Sequence, residues 1–204
     1  MDFNKYYEDR QKLVNTFLEK RLEKKGISRV DEAMAYSLLA GGKRIRPIIL
    51  MATADALGVS GYNFPLLIAE TYRFFGGTDM ALAEPFMAAI EMIHTYSLIH
   101  DDLPCMDDDE YRRGRLTNHK VFGEALALLA GDALLTLAFE VMLEQKNVPA
   151  EALIETVREV AMCAGNFGMV GGQVIDLDSE GRQISEEELR KLHAGKTGAL
   201  FIAE

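Results

Sequence analysis

The chain has 204 residues, of which 49% are hydrophobic and 26% are charged, and its net charge is −10. This length and composition predict one globular domain over residues 1–204 with a sizeable core. The negative charge excludes a general nucleic-acid-binding protein, because phosphate backbones require clustered Lys and Arg.

The N-terminus and the cysteines indicate a reducing compartment. The first residues carry no apolar core of the signal-peptide kind, and no apolar run reaches the length of a membrane span. Cys105 and Cys163 have no CxxC spacing, so neither a zinc site nor a disulfide framework is indicated. We therefore expect a cytoplasmic protein without a membrane span.

The predicted elements are helices along the whole chain. Ala, Leu, Met and Glu favour helix, only five prolines occur, and no stretch shows sustained strand alternation. The run FGEALALLAGDALLTLAFEVML is apolar nearly all round, which predicts a helix buried in a bundle or at a subunit interface. The fold class is all-α, with helices predicted at residues 2–25, 30–40, 44–57, 85–103, 121–145, 150–173 and 185–204.

Two segments depart from a simple series of helices. Residues 58–84 form a long connection, in which Asn63 is placed to cap a further short helix, and the sequence assigns this connection no function. The final stretch, KTGALFIAE, stops inside a helical pattern without Gly, Pro or a basic last turn. We expect this chain to be the N-terminal part of a longer protein.

A basic cluster, GGKRIRP, occupies residues 41–47. Its two glycines permit a tight turn, and Pro47 is compatible with the first turn of the next helix. Lys43, Arg44 and Arg46 should therefore gather at a helix N-terminus, which is a ready anion site. By itself the motif fits a solvated basic turn equally well. Together with a metal-carboxylate motif elsewhere, it indicates a second anionic substrate.

An acidic block follows the predicted helix at 85–103, in the stretch IHDDLPCMDDDEYRRGRLTNHK. Asp101 and Asp102 fall at the C-terminal end of that helix, where the macrodipole disfavours negative charge. Carboxylate oxygens at such a place suit Mg²⁺, which is usually shared with substrate phosphates. Pro104 makes an unbroken helix unfavourable, so local bending decides which later aspartate joins the pair. The alternative is a solvated acidic turn.

Two arginines directly follow the acidic block. Arg112 and Arg113 are placed to hold phosphate oxygens in a forked geometry, beside metals that the carboxylates bind. Metal ions and guanidinium groups together would neutralise a polyanionic substrate that the carboxylates would otherwise repel. The alternative is simple surface pairing with the neighbouring acids, which contributes little to stability.

The motifs GGKRIRP, IHTYSLIHDDLPCMDDDEYRRGRLTNH, GGQVIDL and KTGAL together resemble the trans-isoprenyl diphosphate synthases, and within them the bacterial farnesyl diphosphate synthases. The resemblance implies an all-α bundle of largely antiparallel helices around a deep cavity, usually in a homodimer. It also implies a Mg²⁺-dependent prenyltransferase that condenses isopentenyl diphosphate with an allylic diphosphate, either dimethylallyl or geranyl diphosphate.

The resemblance assigns roles to individual residues. Asp101, Asp102 and Asp107 match the magnesium ligands, and Asp101, Asp102, Arg112 and Lys196 are the expected catalytic residues. The expected isopentenyl diphosphate contacts are Lys43, Arg46, His94 and Arg113. The expected allylic diphosphate contacts are Arg112, Lys196, Thr197 and Gln173.

Product length is partly readable from one aromatic residue. Tyr96 lies five residues before Asp101, so its side chain should face down the helix below the metal site. In the family, an aromatic residue at this position together with the DDxxxxD spacing goes with a fifteen-carbon product. The alternative is that Tyr96 belongs only to the core. A histidine on an apolar helix is more often a core residue than a ligand, so His94 depends on the resemblance, and His100 is expected to be structural.

One family motif is missing from the sequence. The family carries a second aspartate-rich motif, DDxxD, on a later helix, and nothing after Asp178 offers paired aspartates. The chain then corresponds to about two thirds of the family domain, and we expect these 204 residues alone to be inactive. The alternative is a non-catalytic partner subunit of a prenyl diphosphate synthase, although such a subunit would have little reason to keep the whole set of basic and acidic motifs.

Overall fold

The computed structural model describes residues 2–23, 28–59, 83–146 and 148–203. The predicted all-α class is confirmed. The short helix predicted to begin at Asn63 lies outside the described residues. The helices are α1 Phe3–Glu23, α2 Arg29–Leu38, α3 Ile45–Val59, α4 Glu84–Asp101, α5 Asn118–Phe122, α6 Glu124–Leu143, α7 Ala150–Ala164, α8 Met169–Ser179, α9 Glu186–His193 and α10 Ala199–Ile202. A π-helical turn, Ala194–Gly198, joins α9 to α10.

Two of the predicted helices are each divided by glycine. The helix predicted at 121–145 is wrong as a single element, because Gly123 with φ +86° ends α5 and precedes α6. The helix predicted at 150–173 is also divided, since α7 ends at Ala164 and α8 begins at Met169. In this break a Cβ on Gly168 would lie 2.0 Å from the carbonyl oxygen of Cys163, so the backbone turns there too tightly for any side chain.

The core lies between α4 and α6. Helix α4 is buried on nearly every side, and Ala89, Ile90 and Ile93 are among its buried residues. Helix α6 contributes a stripe of buried residues at helical spacing: Ala127, Ala130, Leu134, Leu137, Ala138 and Val141. The helix predicted to be buried in a bundle or at a subunit interface is thus buried in the bundle along one face, while Leu129 and Leu143, elsewhere on α6, are exposed.

Helix α6 also bears on the expectation that no apolar run is long enough for a membrane. By length and hydropathy alone, its 20 residues would suffice to cross a bilayer, so that expectation is wrong for this segment. A core helix of a globular protein meets the same criterion, and the buried stripe described above is of that kind.

A short β-hairpin interrupts the helices after the acidic block. Strand β1, Tyr111–Arg112, pairs antiparallel with β2, Arg115–Leu116. The two turn residues between them, Arg113 and Gly114, have φ values of +53° and +76°, as a two-residue primed turn requires. Strands of two residues are too short to show alternation, so the sequence pattern predicts no strand here. The Tyr36 hydroxyl donates to the carbonyl oxygen of Leu116 (2.8 Å) and fixes the hairpin against α2.

Candidate functional site

The acidic block folds back on the end of α4. The backbone N–H of Asp107 donates to the carbonyl oxygen of Asp101 (2.9 Å), and that of Asp108 donates to Leu103 (3.2 Å). Asp108 has φ +50°, a left-handed conformation that reverses the chain locally. The bend after α4 therefore brings Asp107, rather than Asp108, beside the first aspartate.

The carboxylate of Asp101 faces α8 and the π-helical turn. Gln173 Nε2 donates to its Oδ1 (2.6 Å), and Lys196 Nζ lies 3.7 Å from its Oδ2. Lys196 is held more closely by Asp176, at 2.5 Å between Nζ and Oδ2. Burial raises the pKa of Asp101, the Asp107 carboxylate raises it further, and Lys196 acts in the opposite direction. The ionised form of Asp101 is therefore destabilised by burial and partly stabilised by Lys196.

The carboxylate of Asp102 faces the hairpin instead. Its side chain is only 4% exposed, and Arg112 approaches its Oδ1 with Nε at 2.7 Å and Nη2 at 2.6 Å. Burial raises the pKa of Asp102, and the hydrogen bond from Arg112 opposes that rise. Arg112 Nη2 also lies 3.5 Å from Asp109. The two adjacent aspartates thus point to different partners.

The predicted metal ligands do not converge on one point by themselves. Among the residues that the structure describes, no group of three Asp, Glu, His or Cys side chains is arranged to hold a metal ion. The donor set still fits Mg²⁺, which takes oxygen ligands and commonly binds one or two carboxylates while substrate phosphates supply the others. Asp101 and Asp107 are the pair that the backbone bend brings together.

Close backbone packing brings Gln173 and Lys196 to Asp101. A Cβ on Gly172 would lie 1.9 Å from the backbone nitrogen of Lys196, and one on Gly195 would lie 3.0 Å from the Cα of Gly172. Helix α8 and the π-helical turn therefore cross at backbone contact. The glycines of GGQ and of the turn thus place the two adjoining polar side chains against the same carboxylate.

A basic cavity of about 540 Å³ lies beside the GGKRIRP segment. The Arg113 guanidinium donates to the carbonyl oxygen of Gly41. A Cβ on Gly42, which has φ +135°, would come within 2.7 Å of Arg113 Nη1, so this position requires glycine. The residues that line this basic cavity are Ala40, Gly42, Lys43, Arg44, Ile45, Arg46, Glu91, His94 and Arg113.

Arg44 departs from the predicted anion site. Its guanidinium is buried and forms an ion pair with Glu91, at 2.5 Å between Nη1 and Oε1. The expectation that Arg44 would stand with Lys43 and Arg46 as a ligand is therefore wrong. A positive φ of +51° turns its side chain into the core, while Lys43 remains exposed.

His94 is the residue whose protonation the site changes most. Burial, together with the positive charges of Arg46 and Arg113, lowers its pKa to about 3. The imidazole is therefore neutral at neutral pH and can donate from one nitrogen and accept at the other.

An apolar cavity of about 460 Å³ begins at the same histidine. Tyr96 is buried, and its ring meets that of His100 edge to face, with 5.6 Å between centroids. His100 Nε2 lies 3.0 Å from the carbonyl oxygen of Leu128, in keeping with its expected structural role. The lining residues are Arg46, His94, Tyr96, Ser97, Leu98, His100, Asp101, Leu103, Cys105, Met106, Leu128, Met169, Val170, Gln173, Val174, Leu177, Lys196 and Thr197.

His94 and Arg46 line both the basic and the apolar cavity. The predicted isopentenyl diphosphate contacts are gathered in the first cavity, and Asp101, Lys196, Thr197 and Gln173 are gathered in the second. Asp102 and Arg112 line neither, because they face a smaller cavity of about 40 Å³ together with Arg113.

Sequence reasoning missed Asp176 and Glu91. Asp176 follows Gln173 by three residues on α8, and Glu91 precedes His94 by three residues on α4. Side chains at this spacing share a helix face, so each acid could have been inferred from its neighbouring site residue.

Substituting Gly172 should separate α8 from the π-helical turn. In Gly172→Ala the new Cβ collides with backbone, and overpacking of this kind costs about 1–3 kcal/mol. Chemical denaturation should show a correspondingly lower free energy of unfolding. Gly198→Ala is the matched control, because its Cβ would meet only the carbonyl oxygen of His193 at 3.4 Å. Equal stabilities for the two variants would contradict the backbone contact.

His94 should contribute to destabilisation in acid. Its pKa falls from 6.5 to about 3 on folding, so between these values the unfolded chain binds more protons than the folded one. The free energy of unfolding therefore decreases as the pH is lowered through this range. Denaturation of His94→Gln at several pH values should show a shallower fall over roughly pH 6.5 to 3. The exposed His193 supplies the control, and His193→Gln should follow the wild type. An unchanged slope in His94→Gln would refute this account of the residue.

Proteins of known sequence are similar to this chain over most of its length. A family model described as Polyprenyl synthetase matches residues 27–204. A farnesyl diphosphate synthase of Geobacillus stearothermophilus is 43% identical over 204 residues, which cover 98% of this chain and 62% of that protein. A chloroplastic geranylgeranyl pyrophosphate synthase of Catharanthus roseus is 45% identical over 202 residues, which cover 98% of this chain and 51% of that protein.

Solved structures agree with the sequence comparison. A geranyltransferase from Legionella pneumophila superposes with a TM-score of 0.80 at 36% identity. The match covers 97% of this chain and 63% of the geranyltransferase. A geranyltranstransferase from Thermotoga maritima has a TM-score of 0.78 at 30% identity, over 96% of this chain and 65% of that one. The chain spans between 51% and 65% of the lengths of these relatives. Because the family model matches most of its residues, the chain belongs to the polyprenyl synthetase family.

Proposed function

We propose that this protein is a prenyltransferase that condenses isopentenyl diphosphate with dimethylallyl or geranyl diphosphate to give farnesyl diphosphate. One observation carries the proposal: a basic cavity and an apolar cavity with polar groups of both charges in its lining share His94 and Arg46. Two diphosphate substrates held in these cavities would meet across the shared residues, which turns a bimolecular encounter into a positioned one.

The basic cavity is the proposed isopentenyl diphosphate site. Lys43, Arg46 and Arg113 supply positive charge, and Arg113 offers the forked geometry that suits phosphate oxygens. His94 is neutral because burial and, to a lesser extent, the surrounding arginines lower its pKa, so it can donate a hydrogen bond without adding charge.

The apolar cavity and its polar lining form the proposed allylic site. Lys196, Thr197 and Gln173 would contact the allylic diphosphate, and Arg112 would reach it from the hairpin. Asp101, Asp102 and Asp107 would hold Mg²⁺ together with the substrate phosphates. Bound Mg²⁺ would offset the negative charge that develops on the diphosphate leaving group. The apolar lining would exclude water from the allylic carbon.

Tyr96 is the proposed limit on product length. Its buried ring stands edge to face against His100 in the lining of the apolar cavity, five residues before Asp101. Relatives of similar identity are named for farnesyl and for geranylgeranyl products, so family membership leaves the length open. A bulky residue here favours the shorter product, because a longer chain would need the space that the ring fills.

The proposal extends to the state of the protein in the cell. A single domain, a homodimer and a cytoplasmic location fit this function, with diphosphates as substrates and no nucleic-acid partner. The exposed Leu129 and Leu143 on α6 supply apolar surface that a subunit contact would cover.

Removing the charge of Asp101 should abolish most turnover in the native protein. Asp101→Asn keeps the shape of the side chain but weakens metal binding, and each 1.36 kcal/mol of lost transition-state stabilisation lowers the rate about tenfold. We expect a loss of roughly a hundredfold or more in condensation of isopentenyl with geranyl diphosphate, with the fold retained. The exposed Asp9 provides a control, since Asp9→Asn should be fully active. Near-normal turnover of Asp101→Asn with Mg²⁺ would exclude the proposed role.

Substituting Arg113 should distinguish the two substrate sites. A charge-assisted contact contributes about 1.5–3 kcal/mol, so Arg113→Ala should raise KM for isopentenyl diphosphate roughly ten- to a hundredfold. KM for geranyl diphosphate should change little. Arg158→Ala, on the exposed side of α7, is the control for loss of an arginine. An equal rise for both substrates would contradict the separation into two sites.

A further inference from the structure

Arg44, within the GGKRIRP segment, anchors three helices at once. Its Nε donates to Asn15 Oδ1 on α1 (2.9 Å), and its Nη2 donates to the carbonyl oxygen of Leu38 at the end of α2 (2.7 Å). Its Nη1 pairs with Glu91 Oε1 on α4 (2.5 Å). The Leu38 carbonyl belongs to the last turn of α2 and has no partner within that helix, so the guanidinium also caps α2.

The backbone at Arg44 is held in a conformation that L-residues seldom adopt. Its φ is +51°, and the two glycines before it also have positive φ. Helix α1 fixes the same segment through Gln11 Nε2, which donates to the Gly42 carbonyl oxygen at 2.8 Å, and through the Tyr7 hydroxyl, which donates to that of Lys43 at 2.5 Å. The side chain of Arg44 thus completes a set of contacts that hold the segment against the bundle.

Glu91 places a negative charge in the lining of a cavity that is otherwise basic. Of the described residues that line it, Glu91 alone is acidic, and its side chain is 2% exposed. Burial lowers the pKa of Arg113, and Glu91 is the strongest influence in the opposite direction, so its charge reaches a proposed diphosphate ligand. An unpaired Glu91 would therefore repel a bound diphosphate.

We propose that the buried Arg44–Glu91 pair is a positioning device for the basic cavity, which holds residues 41–46 in the conformation that presents Lys43 and Arg46 and cancels the charge of Glu91. The two side chains are only 1% and 2% exposed, so in this role the pair acts on the substrate through residues 41–46. The inference rests on the proposed function, because the anion that the cavity receives is taken to be isopentenyl diphosphate.

Holding residues 41–46 in place and cancelling the charge of Glu91 are separate effects, and different variants of the pair remove one or both of them. Arg44→Met/Glu91→Leu removes both charges and all the anchoring contacts, and buried ion pairs can often be replaced by apolar residues without loss of stability. Arg44→Lys keeps a positive charge but cannot reach three partners with a planar fork. Arg44→Met alone leaves the charge of Glu91 unopposed.

The test is calorimetric binding of isopentenyl diphosphate to the native protein, together with KM for both substrates and thermal unfolding. We expect the double variant and Arg44→Lys to fold, and to bind isopentenyl diphosphate roughly tenfold or more weakly, with an unchanged KM for geranyl diphosphate. Arg44→Met should bind it more weakly than the double variant does. The matched control is Arg158→Met/Glu155→Leu, which removes an exposed pair on α7 and should bind like the wild type.

Wild-type affinity in a folded double variant would overturn the inference, as would equal weakening of both substrates. Unfolding of both the double variant and Arg44→Lys would assign the pair to stability alone and would also overturn it. Failure of the proposed function is distinguishable, because then the wild-type protein itself would neither bind nor condense isopentenyl diphosphate.

Discussion

The site depends on negative charge held at the buried C-terminal end of α4. Burial and the helix dipole both oppose ionised carboxylates there, and burial raises the pKa values of Asp101 and Asp102. The surrounding elements each offset that cost from a different side. The hairpin brings Arg112 to Asp102, and the π-helical turn brings Lys196 to Asp101. The protein thus stabilises both acids with cations of its own.

Lys196 has carboxylate partners on two different helices. Lys196 is shared between Asp101 and Asp176, and its nearer partner is Asp176. The contact with Asp176 therefore holds the lysine beside the cavity independently of Asp101. The π-helical turn that carries Lys196 is in close backbone contact with Gly172, and π-helical turns are frequent at functional sites.

Much of this arrangement could be predicted from the sequence, because the helical pattern and the charged motifs are each carried by residues that are close together in the chain. The helical class and the burial of Tyr96 follow from local composition and spacing. The basic surroundings of His94 are expected only from the resemblance, because Arg46 and Arg113 lie far from it in the sequence. What the sequence could not supply depends on contacts between distant segments. The inward turn of Arg44 requires partners on α1, α2 and α4, and the breaks at Gly123 and Gly168 arise from backbone geometry that helix propensity does not include.

The central claim is that two diphosphates occupy two cavities that meet at His94 and Arg46. The most direct measurement is a crystal structure of the native protein with isopentenyl diphosphate, Mg²⁺ and a thio-analogue of geranyl diphosphate that does not ionise. We predict the isopentenyl diphosphate headgroup against Lys43 and Arg113, and the geranyl chain in the cavity that Tyr96 lines. Both headgroups in one cavity, or a geranyl chain bound away from Tyr96, would contradict the account.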